Sequence, residues 1–243
     1  MNQAIDLEKT KLKIMEKLRR GGWHRILEPF IMSRETDILL MSLFEEGNLG
    51  HRMNPVLKNA FRAFEECPWE SLRVVFLGQE PFHEANTSDG LAFSGTHRGS
   101  DGRLPSQTRL VLNEVAKTCY NHLTDFEYAA HPDLKRWANQ GVLLLNTALT
   151  ARVDTRGGHL SIWEPFTKYV LTQITHYHFG VVFGFIGKRA RSFENLINNE
   201  QIKFFCEHPS ATINENRIQW NSENLFKKTN EILFGQNGTE IHW

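Results

Sequence analysis

The sequence predicts an α/β protein, a single domain with a central four-stranded parallel sheet flanked by helices on both faces. Three observations predict it. Four short apolar runs, rich in β-branched or aromatic residues, stand at LRVVFL (72–77), GVLLLN (141–146), GVVFGFI (180–186) and KFFCEH (203–208). Runs without a polar face suit strands covered on both sides. Helical stretches separate them, which is the alternation that a parallel sheet requires. A length of 243 residues with 40% hydrophobic content allows one sizeable core.

The elements follow in chain order. Residues 1–22 are expected to form a helical extension, with Ile5, Leu7, Leu12, Ile14, Met15 and Leu18 spaced among charges in an amphipathic pattern. Residues 23–243 would form the main domain. GGWHRILEPFIMSRETDILLMSLFEEG reads as two helices and NPVLKNAFRAFEECPW as a third, with Val56, Leu57, Ala60, Phe61 and Phe64 at helical spacing. GTHRGSDGRLPSQTR (95–109), with three arginines and a histidine, reads as a flexible basic loop.

Bulk properties exclude several classes. Lysine plus arginine and aspartate plus glutamate both number 28, so no whole-molecule field attracts nucleic acid and any DNA contact rests on a local patch. The three cysteines lie far apart without a CxxC pair, which argues against a zinc site and a disulfide framework and suits a reducing, intracellular setting. The charged first twenty residues lack the apolar core of a signal peptide, and no segment approaches the roughly 18 apolar residues of a membrane span.

In open α/β sheets, ligands bind beyond the carboxyl ends of the strands. The runs there end in GQEPFH, NTALTAR, GKRAR and HPSATI, delivering Gln79, Glu80, His83, Asn146, Lys188 and His208 to one edge. Glu80 and His208 suit an electrostatic or acid/base pair, the carboxylate stabilising a cation or directing a water and the histidine donating to a developing anion. Asn146 offers a donor and an acceptor to a base edge, and Phe82 and Phe93 offer flat faces. A flipped-out base requires that set. Singly, each has a plainer reading: a solvated glutamate, core phenylalanines, a helix-capping asparagine, a histidine closing a strand.

These motifs resemble those of the family 1 uracil-DNA glycosylases. The family's GQDPYH stands here as GQEPFH (78–83), its LLLNT as LLLNT (143–147) and its HPSPLS as HPSATI (208–213), and the likeness runs in family order from about residue 23 to the closing IHW. The resemblance implies hydrolysis of the N-glycosidic bond of uracil in DNA, leaving an abasic site, without metal or cofactor. It implies that Asn146 pairs with the uracil edge, Phe93 stacks on the ring, Phe82 blocks the 5-methyl of thymine and Gln79 supplies main-chain contacts. His208 would donate to O2 of the departing uracil, while Glu80, in place of the family's aspartate, would stabilise the sugar cation and orient water. Ser106, His159, Ser161 and Ser210 would grip DNA phosphates, and salt-dependent binding is expected to be weak. The family's Pro-Leu wedge stands as Ala211-Thr212, with Ile213 as a substitute from the next position. Glu80 keeps the charge but is one methylene longer, so the geometry is retained only if its loop shifts.

The reading expects a monomer whose partners are uracil-containing DNA, single- or double-stranded, and a protein inhibitor that mimics uracil-DNA. It places the protein in the cytoplasm, or in a host cell's cytoplasm or nucleus for a viral lineage. Two other functions fit the motifs: a weakly catalytic DNA-binding homologue serving replication, and a glycosylase for another modified base. Asn146 and His208 favour the catalyst, because a chain relieved of catalysis needs neither.

Overall fold

The computed structural model describes residues 6–95, 104–120, 131–215 and 219–243. Along them run α1 (Leu7–Arg20), α2 (His24–Ile31), α3 (Arg34–Asn48), β1 (Met53–Asn54), α4 (Arg62–Glu66), β2 (Val74–Gly78), α5 (Ser106–Tyr120), α6 (Lys135–Ala138), β3 (Val142–Asn146) and β4 (Ala151–Arg152). The second half adds α7 (Leu160–Tyr177), β5 (Val182–Ile186), α8 (Lys188–Arg191), β6 (Ile202–Cys206), α9 (Pro209–Asn214) and α10 (Leu225–Asn237).

Each of the four apolar runs forms a strand, and all four pair in parallel in the order β3-β2-β5-β6. Every residue of β2, β3 and β5 is buried, which is why these strands are apolar on both faces. β6 is partly exposed throughout, and its alternation of Lys203 with Phe204 and Phe205 reflects an edge position. The Arg191 guanidinium lies over the ring of Phe205 at 4.4 Å and the Lys228 ammonium over that of Phe204 at 5.9 Å, so cationic groups cover the apolar part of that edge. β1 and β4 pair separately as a two-residue antiparallel ladder.

Helices flank the sheet. The Phe76 ring of β2 meets Phe226 of α10 and Trp243, while Phe61 and Phe64 form edge contacts with Phe166 of α7. The stretch read as an N-terminal extension is helical over Leu7–Arg20, and its Ile14, Met15 and Leu18 are buried in the same core, against α2 and α4. Asp6 caps it by accepting from the Lys9 amide. Ile5 lies outside the described residues.

Two expectations need correction. NPVLKNAFRAFEECPW is not one helix: a 3-10 turn at Leu57–Asn59 precedes the five-residue α4. Pro68 disfavours helical geometry at Cys67, which is extended at ψ 104° and ends α4. The stretch 95–109 is not wholly a loop, since Ser106 opens the fifteen-residue α5; its residues 96–103 lie outside the described residues.

Candidate active site

Parallel pairing carries the strand ends to one edge of the sheet. Gly78 at the end of β2 is in register with Asn146 at the end of β3. The two ends are laced together, for the Gln79 carbonyl accepts from the Ala148 amide (3.2 Å) and the Thr147 hydroxyl (2.6 Å). Two residues past β6, His208 caps the first turn of α9, where Pro209 is preorganised for helix. A cavity of about 110 Å³ results, lined by Gln79, Glu80, Phe82, His83, Phe93, Asn146 and His208, with Gln107, Arg156 and Ser210 at its sides.

Asn146 is only 9% exposed, yet its amide has no hydrogen-bond partner among the described residues. A nearly buried amide left open into a cavity is a group waiting for a ligand's donor and acceptor. Gly78 makes room for it: a Cβ there would lie 2.5 Å from Asn146 Oδ1 and 2.9 Å from the Phe93 ring. Gly78→Ala is therefore expected to push both groups into the cavity and, if the resemblance to uracil-DNA glycosylases holds for this pocket, to weaken binding of free uracil about tenfold or more, the loss of at least one hydrogen bond. Unchanged binding would mean that the pocket does not need this close approach.

Phe93 is 7% exposed and has φ +63°, a region that a bulky residue rarely occupies without a reason at a binding site. Its ring centroid lies 5.8 Å from that of His208. His208 Nδ1 accepts from the Ser210 amide at 3.2 Å and lies 2.8 Å from the Ser210 hydroxyl. Since an amide N–H only donates, the neutral ring carries its proton on Nε2, which has no partner among the described residues. Burial pushes the His208 pKa down to about 4, with Glu80 opposing and Arg156 assisting, so the ring is neutral at physiological pH.

Glu80 retains 4% of its side-chain exposure. Both of its oxygens accept from the Gly157 amide (3.1 and 2.9 Å), Oε1 accepts from Gln79 Nε2 (3.0 Å), and His83 Nε2 stands 3.4 Å away. Burial works against ionisation, but His83, the Gly157 amide and Gln79 outweigh it and hold the carboxyl below its usual range. The same pairing with Glu80 raises the His83 pKa against the cost of burial. Thus the longer side chain is accommodated by an amide from the turn after β4.

A second cavity of about 400 Å³ opens alongside, sharing Phe82, His83, Gln107, Arg156 and Ser210 and adding Ser106 and Ile213. The structure thus joins Ser106 and Ser210, but not every residue expected at DNA. His159 is completely buried, with Nδ1 2.9 Å from Thr150 Oγ1, and so has no surface for a phosphate. Thr212 is completely buried as well, while the next residue, Ile213, is 40% exposed. Ser161 is exposed in a separate depression with Glu35, Ile38 and Pro165, sharing no lining residue with either cavity. Sequence reasoning brought His83 to this edge without giving it a role, and missed Gln107 and Arg156. GQEPFH already held the signal for His83; Arg156, in a turn of DTRGGH, had none.

Among the described residues no group of side chains could hold a metal ion, and no helix is long and apolar enough to cross a membrane. Fold and cavity together define an α/β protein with a pocket at the carboxyl ends of its parallel strands. Residues 64–234 match the model of the Uracil DNA glycosylase superfamily. The chain is 33% identical to the uracil-DNA glycosylase of Acinetobacter baumannii over 241 residues, 97% of each chain, and 33% identical to that of Streptococcus thermophilus over 233 residues, 93% of this chain and 99% of that one. It belongs to the uracil-DNA glycosylase family. The crystal structure of mimivirus uracil-DNA glycosylase superposes with a TM-score of 0.79 at 21% identity, covering 91% of this chain and 85% of that one. A mimivirus UNG variant in complex with UGI superposes with a TM-score of 0.78 at 20% identity, covering 91% and 87%.

Proposed function

We infer that this protein is a uracil-DNA glycosylase, a repair hydrolase that flips uracil out of DNA and cleaves its N-glycosidic bond. Family membership gives the class of reaction, and the observation that carries the reading to this site is the unpartnered Asn146 amide, facing a cavity walled by Phe93 and His208. Uracil presents an acceptor and a donor on one edge, and one amide satisfies both. Phe93 stacks on the ring and Phe82 occupies the side where thymine carries its methyl. As the bond from C1′ to the base breaks, negative charge collects on uracil and positive charge on the sugar. His208 Nε2–H donates to O2 of the departing base, and the Glu80 carboxylate stabilises the sugar cation and orients the attacking water. Gln79 positions Glu80 through its side-chain amide as well as lining the base with its main chain.

Ser106 and Ser210, which both line the second cavity, are suited to receive phosphates with short hydroxyls. Ile213 takes the role of the wedge, being the exposed apolar residue beside that cavity. An apolar wedge offsets unstacking costs of a few kcal/mol in duplex DNA and has nothing to offset in a single strand. Ile213→Ala is accordingly expected to slow excision from duplex about tenfold, with a smaller effect on single-stranded DNA. Equal losses on both substrates would rule out the wedge. UGI, found with the mimivirus variant, is the inhibitor against which the DNA-facing surface of this protein is to be tested.

The test of the reading is single-turnover release of free uracil from a single-stranded oligonucleotide at low salt. Release establishes the activity; measurable DNA binding without release refutes it in favour of a non-catalytic DNA-binding role.

A further inference from the structure

The strained turn that carries Phe93 is cross-braced by an ion pair outside the cavity. Asp89 is 5% exposed. Its Oδ1 accepts from the Leu91 amide (3.0 Å), and its Oδ2 lies 2.6 Å from the Ser94 hydroxyl and 3.0 Å from Arg62 Nη1. Arg62, on α4, also reaches both oxygens of Asp133 through Nη2 (2.8 and 2.7 Å). The Ser94 oxygen in turn accepts from the Leu134 amide (3.0 Å), and the Gly95 amide donates to the Pro132 carbonyl (3.1 Å). On the other side of Phe93, the Ala92 amide donates to the Leu144 carbonyl of β3 (3.0 Å). Gly90 lets the turn lie flat on α4: at φ +101°, a Cβ there would stand 2.1 Å from the Asn59 carbonyl oxygen and 2.8 Å from Arg62 Cβ. Burial raises the Asp89 pKa, opposed by Ser94, Leu91 and Arg62, so the carboxylate depends on these partners.

We propose that the Arg62–Asp89 ion pair holds Phe93 in its left-handed conformation at the cavity wall, so that both residues are positioning residues for capture of the base. A phenylalanine at φ +63° relaxes unless its neighbours over-determine it, and here residues on both of its sides are tied down. Asp89 is the point where the three ties of Leu91, Ser94 and Arg62 meet. The role rests on the uracil reading above and concerns the affinity of the stacking wall rather than the chemical step.

The test is a double-mutant cycle on competitive inhibition by free uracil, with amide hydrogen exchange at Ala92 as a readout that needs no substrate. Asp89→Asn is expected to weaken uracil inhibition about tenfold, the effect of unpairing a buried charged hydrogen bond, while single-turnover release at saturating DNA changes far less. In a Phe93→Ala background it is expected to have no further effect on inhibition, because the wall it positions is gone. Exchange at the Ala92 amide is expected to accelerate by a similar factor. Equal losses of inhibition in both backgrounds, or unchanged exchange at Ala92, would overturn the proposal. Should Asp89→Asn fail to fold, Arg62→Met and Arg62→Lys carry the same test: the methionine loses uracil affinity and the lysine regains part of it, whereas identical behaviour of the two refutes the ion pair. If the wild-type protein releases no uracil while exchange at Ala92 still responds to Asp89→Asn, the functional reading falls and the clamp stands.

Discussion

Glu80→Gln is expected to slow single-turnover uracil release by about 10²- to 10⁴-fold with little change in DNA binding. Glutamine has the length of glutamate, and one oxygen can still accept from the Gly157 amide, so the side chain stays in place and only the charge is lost. In the proposed reaction that charge faces a sugar cation from a side chain almost closed to water, where a fixed carboxylate stabilises far more than it would in bulk solvent. Glu80→Asp asks a different question. Withdrawing the carboxylate by one methylene, about 1.5 Å, breaks both bonds to Gly157 and opens the approach to His83. The expected outcome is a fall of about 10- to 100-fold, since a misplacement near 1 Å costs that much. A rise would show instead that the glutamate is a defect that the Gly157 turn merely tolerates. Because the Glu80 carboxyl is held below its usual range, the wild-type rate is expected to stay level down to mildly acidic pH as far as this group is concerned.

The strands and the edge they define were legible because their signal is local. Val74–Gly78 and Val142–Asn146 are apolar on both faces and run on into polar residues, whereas a strand with one face in water tends to alternate. Gln79, Glu80, Asn146 and His208 were legible for the same reason, since parallel pairing puts the carboxyl end of every strand on one edge whatever the strand order. What failed depends on contacts that sequence spacing does not carry. His159 carries a group that suits a phosphate and Thr212 stands where the family has its wedge, but spacing does not say whether such a side chain faces solvent, and both are buried. The support of Glu80 comes from Gly157, 77 positions along the chain, through a main-chain amide that has no side-chain signature. Asp89 and Arg62 carry no pairing signal in the sequence; only the turn that folds back over α4 joins the buried aspartate to the partly buried arginine.

His208→Ala should cost about 10²- to 10³-fold in uracil release, the range for removing one donor to a developing oxyanion. The donor in question is Nε2–H of a neutral ring, because the Ser210 amide holds Nδ1 as an acceptor. Protonation would place a second N–H opposite that amide and break the cap of α9. A pKa near 4 keeps this from happening at physiological pH, so release by the wild-type protein is expected to show no inflection from His208 near the ordinary histidine value of about 6.5. Stability carries the same signature with a definite sign. Between pH 6.5 and 4 the unfolded chain binds a proton at this position and the folded chain does not, so folding weakens as pH falls through that window. His159 and His178, whose pKa values burial also lowers, act in the same direction, and His83, whose pKa is raised, acts in the opposite one. The informative quantity is therefore the difference in thermal midpoint between wild type and His208→Ala, measured from pH 7 to pH 4.5. It is expected to move in favour of the alanine variant as the pH drops, because that variant has no imidazole to protonate on unfolding. A difference that stays constant across the window would mean that His208 takes up its proton as readily in the folded protein as in the unfolded chain, and the lowered pKa would have to be given up.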